Sequence, residues 1–329
     1  MSLRQAQHKI LVSVCIPVYR TEKYLKECLS SVFQQDFEGF EIVLVNDASD
    51  GFDENGHGAK KIFAALKKEN ARNRKKQKLS PVSCTYYEHK NNLGTVETRR
   101  DLVSAASGRY IAMLDSDDLL LPGALKLLYE EAEKNSADIV HSYMQLNPAS
   151  ERAEKINAAC SRPLLKNEIL HDFLFRGHSG FLCGKLIKTE LYHKAFLHIP
   201  FTKCVMADDL LIYFFIALEA EKYISVPLET YLYRMGLGVT GSSQITSLER
   251  WQHICSAANV FTVLFSEINR LPEGTLSEEE LDCIRLRCRY YLKNNISQLK
   301  NCVAEPLQDE AYRMLCDYWG EAFVKEMMA

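Results

Sequence analysis

The sequence predicts an α/β fold, in which a mostly parallel β-sheet is flanked by helices and followed by a helical C-terminal extension. Strand-like and helix-like patterns alternate over residues 1–145, which is typical of parallel sheets covered on both faces. The composition, with 47% hydrophobic and 25% charged residues, is ordinary for a globular protein and excludes a disordered chain. The longest apolar run, residues 210–218, is about half of the roughly 20 residues that a membrane-spanning helix needs.

The elements of the alternating region follow from short apolar runs and from helical spacing. Strands are predicted where apolar or β-branched residues run together, at residues 11–18, 40–45, 82–88, 110–114 and 139–143. Helices are predicted where apolar residues recur three or four positions apart, at residues 22–35, 59–78, 95–106 and 123–134. Ligands of such sheets bind outside the carboxyl ends of the strands, so the residues that follow these strands are the candidates for a site.

The second part of the chain has a less regular pattern. A helix over residues 208–220 and a short strand over residues 223–226 are its clearest elements. From about residue 247 to the end the pattern is helical, with a turn at residues 272–274.

Charge and cysteine content limit the class of protein. The chain has 40 basic and 43 acidic residues, a net charge of −3, so we expect no nucleic-acid partner. Its eleven cysteines include no CxxC pair, and several, such as Cys15, lie within apolar stretches. This usage favours free thiols in a cytosolic protein over a disulfide framework. Residues 1–9 also lack the apolar core of a secretory signal.

Residues 60–78 carry nine Lys or Arg and one Glu. One interpretation is a solvated helix that turns Ile62, Phe63 and Leu66 toward the sheet. The other is an electrostatic contact with anionic lipid headgroups, which would make the protein peripheral to a membrane.

The strongest chemical signal is the segment Asp115-Ser116-Asp117-Asp118, which follows a predicted buried strand. Clustered carboxylates are the hard oxygen ligands that Mg²⁺ and Mn²⁺ prefer. The alternative is that Asp117 or Asp118 caps the next helix, since Asp is a favoured N-cap residue.

Two further acidic positions follow the same logic. Asp47 comes directly after the second strand and could accept hydrogen bonds from a nucleobase or ribose, or could form an ordinary Asx turn. Asp208 and Asp209 open an apolar helix, either as a double cap or as a general base. Glycine-rich nucleotide loops, HExxH and GxSxG are absent from the sequence.

Four segments, in order, resemble glycosyltransferase family 2. Residues 16–29 resemble a strand that ends in that family's PVYN turn, and residues 34–51 its strand and DDGS turn. Residues 92–111 resemble its N-x-G and A-R-N segment, and residues 114–118 match its L-D-x-D-D metal motif. The similarity continues more loosely to about residue 245, through residues 183–188 and 231–234.

The resemblance implies a GT-A fold, which is Rossmann-like, together with a nucleotide-sugar donor and a divalent metal, Mn²⁺ or Mg²⁺. It divides the chain into a nucleotide-sugar-binding half over residues 1–145 and an acceptor-binding half with the catalytic base over residues 146–245. Residues 246–329 are predicted to form a helical extension, which this resemblance does not cover.

The resemblance also implies roles for particular residues. Asp117 with Asp115 would bind the metal, and Asp209 would be the general base, with Asp208 where Glu is usual. A shift of one residue in the match would make Asp208 the base instead. The implied nucleotide-binding residues are Pro17, Val18, Tyr19, Glu22, Asp47, Arg99, Asp115 and Ser116.

The sequence departs from the family pattern at a few positions. Arg20 and Arg100 each replace an Asn, which could alter phosphate or donor contacts. Asn46 and Ala48 change the DDGS turn but leave Asp47 in place.

The implied activity is transfer of a sugar, with inversion, from a nucleotide sugar, and UDP is the family's usual nucleotide. The acceptor would be a hydroxyl of a glycan or lipid-linked molecule in cell-surface polysaccharide synthesis, in the cytoplasm or at the inner face of the cell membrane. A sugar-nucleotide nucleotidyltransferase is an alternative, but residues 15–19 lack its glycine-rich loop. A catalytically silent, nucleotide-sugar-binding scaffold is a second alternative, which the intact acidic residues disfavour.

Overall fold

The computed structural model describes residues 9–151, 153–237 and 244–329. The expectation about a secretory signal in residues 1–9 therefore falls almost wholly outside the described residues. The strands are β1 (Val12–Val18), β2 (Phe40–Asn46), β3 (Ser83–Glu88), β4 (Tyr110–Met113), β5 (Leu119–Leu120), β6 (Ile139–Asn147), β7 (Leu164–Leu165), β8 (Lys185–Lys188) and β9 (Lys222–Arg234).

The helices cover the sheet and then form the C-terminal region. They are α1 (Glu22–Phe33), α2 (Ala59–Lys76), α3 (Thr95–Ala105), α4 (Ala124–Asn135), α5 (Ala153–Ile156), α6 (Asn167–Leu174), α7 (Thr189–His198), α8 (Asp208–Glu219), α9 (Leu248–Cys255), α10 (Ala257–Ile268), α11 (Glu278–Asn301), α12 (Gln308–Trp319) and α13 (Glu321–Met328). A short 3₁₀ turn covers Glu305–Leu307.

All strands belong to one sheet, with the order β3-β2-β1-β4-β8-β6-β9-β5 and with β7 paired to β9. The longest ladders, β1 with β2, β2 with β3 and β6 with β9, are parallel, whereas β8 runs antiparallel between β4 and β6. The predicted α/β class is confirmed.

The alternating region matches its predicted elements closely, and the second half does not. The strand predicted over residues 223–226 is only the first part of β9, which continues to Arg234. Strand β8 and helices α6 and α7 were not predicted. The reason is visible in β8, which has four residues and begins with Lys185, a lysine that is 2% exposed. A buried lysine in a short strand gives no apolar run for the pattern to detect.

The strand register brings three loops to one edge of the sheet. Val18 pairs with Asn46 at the end of β1 and β2, and Cys15 pairs with Met113 near the end of β4. Because these strands are parallel, the segments that follow them, residues 19–21, 47–51 and 114–118, meet at the same edge.

Helix α2 packs as the first interpretation of residues 60–78 predicted. Ile62, Phe63 and Leu66 are buried against the first part of the sheet, whereas most of its basic residues are exposed.

The C-terminal helices share a core with α8, in which Trp251, Leu292 and Leu315 are all fully buried. The eleven cysteines are free thiols. Within the described ranges, the structure contains no helix with the length and apolar character needed to cross a membrane.

Candidate active site

A pocket opens at the strand ends where the three loops meet. It contains seven of the residues predicted from the sequence, together with six that were not. Its walls are formed by Pro17, Val18, Tyr19, Thr21, Asp47, Asn92, Gly94, Thr95, Thr98, Asp115, Ser116, Asp117 and Val205. The residues named for nucleotide and metal binding therefore mostly face one cavity.

Two residues of the predicted nucleotide-binding set lie outside the pocket wall. Glu22 is 1% exposed, and both of its carboxylate oxygens lack a hydrogen-bond partner among the described residues. It lies beneath Gly51, where an added Cβ would come within 2.0 Å of the Glu22 carboxylate. Arg99 is also buried, on α3, where it faces acidic side chains.

Asp47 is held by three donors from the segment that follows β3. Its Oδ1 accepts the Leu93 backbone N–H at 2.8 Å and lies 2.7 Å from His89 Nδ1, and its Oδ2 accepts the Gly94 N–H at 2.9 Å. The Asx turn at this point is made by Asn46, whose Oδ1 accepts the Ser49 N–H at 2.9 Å. A carboxylate offers about four acceptor positions, so the three contacts leave one, on Oδ2.

Arg99 joins the two acidic parts of the site. Its Nε donates to Asp208 at 2.9 Å and its Nη2 to Asp115 at 3.2 Å, while Nη2 lies 3.6 Å from Asp209. Burial alone would lower the pKa of Arg99, but the three carboxylates hold it well above its usual value. The guanidinium is therefore a fixed positive charge that binds the acid loop, residues 115–118, to the start of α8.

Asp208 and Asp209 begin α8 but do not cap it. The N-cap residue is Ala207, with a left-handed φ of 66°, and no side chain accepts a capping hydrogen bond there. The Asp208 side chain is 13% exposed and bonded to Arg99, whereas that of Asp209 is 27% exposed and its Oδ1 has no hydrogen-bond partner among the described residues. Burial and the neighbouring Asp208 raise the pKa of Asp209 to about 7, and burial also raises the pKa of Asp208.

The acid loop uses its three carboxylates differently. Asp118 is structural, because it accepts hydrogen bonds from the Tyr231 hydroxyl and the Arg234 N–H, each at 2.7 Å. Neither Asp117 nor Asp118 caps the next helix, since α4 begins only at Ala124. Burial, with repulsion from Asp115, raises the pKa of Asp117 to about 6 and that of Asp118 to about 8.

The residues present fit a hard divalent cation that shares its ligands with a substrate. Asp117 and Asp115 both face the pocket, and repulsion from Asp115 contributes to the raised pKa of Asp117. No group of three or more His, Cys, Asp or Glu side chains in the described part of the chain is arranged to hold a metal alone. This agrees with Mg²⁺ chemistry, in which one or two carboxylates and the substrate phosphates share the ion.

Several residues of the site lie in segments that resemble the family, although the sequence predicted no role for them. Asn92 and Gly94 belong to the N-x-G segment, and Cys183, whose thiol donates to Asp115 at 3.3 Å, belongs to the segment 183–188. Tyr231 and Arg234, which hold Asp118, belong to another. Thr21 lies within residues 16–29, which resemble the family's first strand and turn, whereas Val205 lies in no such segment.

The two arginines that depart from the family pattern lie outside the pocket wall. Arg20 has a left-handed φ of 57° and binds Asp50 at 2.8 Å. Arg100 binds Glu97 and the backbone oxygens of Phe196, Ile199 and Pro200.

The C-terminal helices hold one wall of the pocket. Ser256 Oγ accepts the Val205 N–H at 3.1 Å, and Asn259 donates to the Lys203 carbonyl at 2.9 Å. The Cys204 carbonyl in turn accepts the N–H of Thr95, at the start of α3, at 2.9 Å. The segment that leads into Asp208 is therefore fixed by residues beyond the predicted boundary at residue 245.

Solved structures share this architecture. The chain aligns with TarS from S. aureus in complex with UDP-GlcNAc at a TM-score of 0.56 and 18% identity, over 97% of this chain and 91% of that one. It aligns with the mannosyltransferase PcManGT from Pyrobaculum calidifontis, in complex with GDP-Man and Mn²⁺, at a TM-score of 0.52 and 14% identity, over 98% and 84%. The fold is thus the GT-A fold of glycosyltransferases.

Sequence comparison gives the family. The family model described as "Glycosyl transferase family 2" matches residues 13–185, which is more than half of the chain, and the protein belongs to that family. The glycosyltransferase GlyG of Streptococcus pneumoniae is 26% identical over 93% of this chain and 94% of its own length. The uncharacterized glycosyltransferase EpsJ of Bacillus subtilis is 28% identical over 56% and 50%. The protein is a glycosyltransferase.

Proposed function

We propose that this glycosyltransferase moves a sugar from a UDP-sugar to a hydroxyl group, with inversion at the anomeric carbon. The observation that carries the proposal is the Asp47 carboxylate, which faces the same pocket as Asp115 and Asp117 and keeps one acceptor position free. A base-binding carboxylate beside an acidic loop is the arrangement that a nucleotide diphosphate with a divalent cation requires.

Uridine is the base that this acceptor position suits. Uracil presents a single N–H between two carbonyls, and a single open position on Oδ2 can receive it. Guanine presents two adjacent N–H donors, which a carboxylate binds with both oxygens, but Oδ1 already serves Leu93 and His89. Cytosine has an unprotonated ring nitrogen at the same place, which a carboxylate repels.

Asp117 and Asp115 would hold Mn²⁺ or Mg²⁺ together with the diphosphate. When bound, the ion would act as a Lewis acid that neutralises the leaving nucleoside diphosphate. Arg99 lies beside the acid loop and keeps Asp115 and Asp208 in place. Its side chain is too buried to reach the donor.

Asp209 is the proposed general base. Its side chain is more exposed than that of Asp208, which Arg99 holds in a hydrogen bond, so the exposed part of the Asp209 carboxylate can accept the proton of the acceptor hydroxyl. Its Oδ1 is buried and lies 3.6 Å from Arg99 Nη2. Attack from the face opposite the diphosphate inverts the anomeric carbon in one step. A glycan or lipid-linked acceptor in cell-surface polysaccharide synthesis follows from the family resemblance.

Calorimetry with UDP, CDP and GDP, in Mn²⁺ and in EDTA, tests the donor assignment. We expect UDP to bind most tightly and only weakly in EDTA, because the diphosphate and the two carboxylates would then repel each other. Equal affinity in EDTA, or preference for CDP or GDP, would contradict the proposal. Transfer of the sugar, or hydrolysis that releases UDP, would in addition show that the site turns over a UDP-sugar.

We also propose peripheral contact with the inner face of the cell membrane through the basic face of α2. Most of its basic residues are exposed, and each could contribute about 1 kcal/mol near an anionic surface. Replacing Lys61 and Lys68 by Gln should lower the affinity for anionic liposomes, measured by sedimentation, by up to roughly 30-fold. The matched control neutralises Lys293 and Lys300, which are exposed on α11. Binding that is unaffected by salt, or equal loss in both variants, would rule out this contact.

A further inference from the structure

We propose that His89 is a positioning residue for donor recognition: as a cation between Asp47 and Asp101, it fixes the carboxylate that reads the nucleobase. The inference rests on the proposed function, because it assigns to His89 the control of the Asp47 carboxylate. His89 itself does not line the pocket and would not touch the donor.

The geometry requires a proton on each ring nitrogen. His89 Nδ1 lies 2.7 Å from Asp47 Oδ1, and Nε2 lies 2.8 Å from Asp101 Oδ2. An ionised carboxylate only accepts hydrogen bonds, and a neutral imidazole has one N–H, so both contacts are satisfied at once only by imidazolium. The ring is 11% exposed, and its backbone N–H is fixed to the Asn46 carbonyl at 2.9 Å.

The charges around His89 come from three elements. Asp47 follows β2, Asp101 lies on α3, and the chain neighbours Glu88 and Lys90 are both exposed. Burial lowers the pKa of His89, but the two carboxylates outweigh burial, and the pKa is raised above 6.5. The charged form is therefore favoured at lower pH and is lost as the pH rises through the raised pKa.

The charge matters because it decides which acceptor position of Asp47 is open. With imidazolium in place, Oδ1 is filled by His89 and Leu93, and only Oδ2 keeps a free acceptor position for the base. When the ring loses a proton from Nδ1, Asp47 loses its hydrogen bond; when the proton leaves Nε2, Asp47 keeps a neutral hydrogen bond in place of a stronger, charge-assisted one. In both cases the restraint on the rotation of the Asp47 carboxylate weakens. A carboxylate free to turn favours uracil less and rejects cytosine less.

The experiment measures the ratio of the dissociation constants of CDP and UDP in Mn²⁺ by calorimetry, from pH 6 to 8.5. The ratio cancels the titration of the phosphates, which are alike in the two ligands. In the natural protein, we expect the preference for UDP to fall as the pH rises. In His89→Gln it should be roughly tenfold smaller at pH 6 and independent of pH, which is the size expected for a charge-assisted hydrogen bond.

Two further variants separate charge from structure. Asp101→Asn removes one of the two carboxylates that raise the pKa of His89, so it should move the pH dependence to lower pH. The Asp101 side chain is half exposed and does not line the pocket, so the fold and the donor contacts should be preserved. His171→Gln is the matched control, since His171 also pairs with a carboxylate, Glu280 at 3.3 Å, but lies on α6. It should leave the ratio unchanged.

Three outcomes decide the inference. If His89→Gln weakens UDP and CDP equally, His89 only supports the fold and the inference is overturned. If the ¹⁵N spectrum of the His89 ring shows a neutral imidazole at pH 6, it is overturned as well. If the natural protein does not prefer UDP, the donor assignment fails instead, and the ring spectrum alone then decides whether His89 is the cation that holds Asp47.

Discussion

Asp209→Asn is expected to reduce turnover by roughly 10²-fold or more while leaving donor affinity nearly unchanged. The amide keeps the shape of the side chain but cannot accept a proton at neutral pH. Donor affinity should be preserved because Asp209 does not line the donor pocket. Initial rates with a UDP-sugar, combined with calorimetry of UDP, measure the two quantities separately.

Asp208→Asn is the matched control for this prediction. Asp208 is bonded to Arg99 at 2.9 Å, so its change should reduce turnover clearly less than Asp209→Asn and mainly affect stability. The loss of stability should be moderate, because Arg99 retains Asp115. If the two effects on turnover are reversed, Asp208 is the base. If neither variant slows transfer, the base lies elsewhere in residues 146–240.

Asp209 also sets the expected pH dependence. A base must be ionised before the acceptor arrives, and burial with repulsion from Asp208 raises the pKa of Asp209 to about 7. The value of kcat/KM should therefore rise with pH through about 7 and then level off. This rising limb should be missing from the residual activity of Asp209→Asn.

Asp117→Ala is the second substitution with a large expected effect. It should remove the dependence of UDP binding on Mn²⁺ and lower transfer by at least about 100-fold, since Lewis-acid stabilisation supplies several kcal/mol. The fold should persist, because burial and repulsion from Asp115 already disfavour the Asp117 carboxylate. Calorimetry of UDP with and without Mn²⁺ gives the first quantity, and thermal unfolding in EDTA checks the fold.

Asp36→Ala is the control for the loss of a carboxylate, since Asp36 is exposed and lies outside the pocket wall. It should retain both metal dependence and activity. An Asp117→Ala protein that still binds UDP more tightly in Mn²⁺ than in EDTA would show that Asp117 is not a metal ligand.

Sequence patterns were reliable where an element was long and its environment uniform. Strand β1 is buried along nearly its whole length, so it reads as a continuous apolar run, and α2 turns one apolar stripe to the sheet. The patterns failed at β8 and over most of β9. In β8 a lysine is buried by tertiary contacts, its ammonium bonded to the Phe181 carbonyl at 2.6 Å, and in β9 exposed and buried residues do not alternate regularly.

The site divides in the same way. The sequence by itself determined the order of strands and helices in the first half and the acidic segments at the strand ends, because these depend on local spacing and on residue type. Only the tertiary structure decided which of these groups meet. It placed Arg99 among Asp115, Asp208 and Asp209, and His89 beside Asp47, since these contacts join residues far apart in the chain. Local patterns carry no information about such contacts, because they arise when the packed sheet brings the ends of separate strands to one edge.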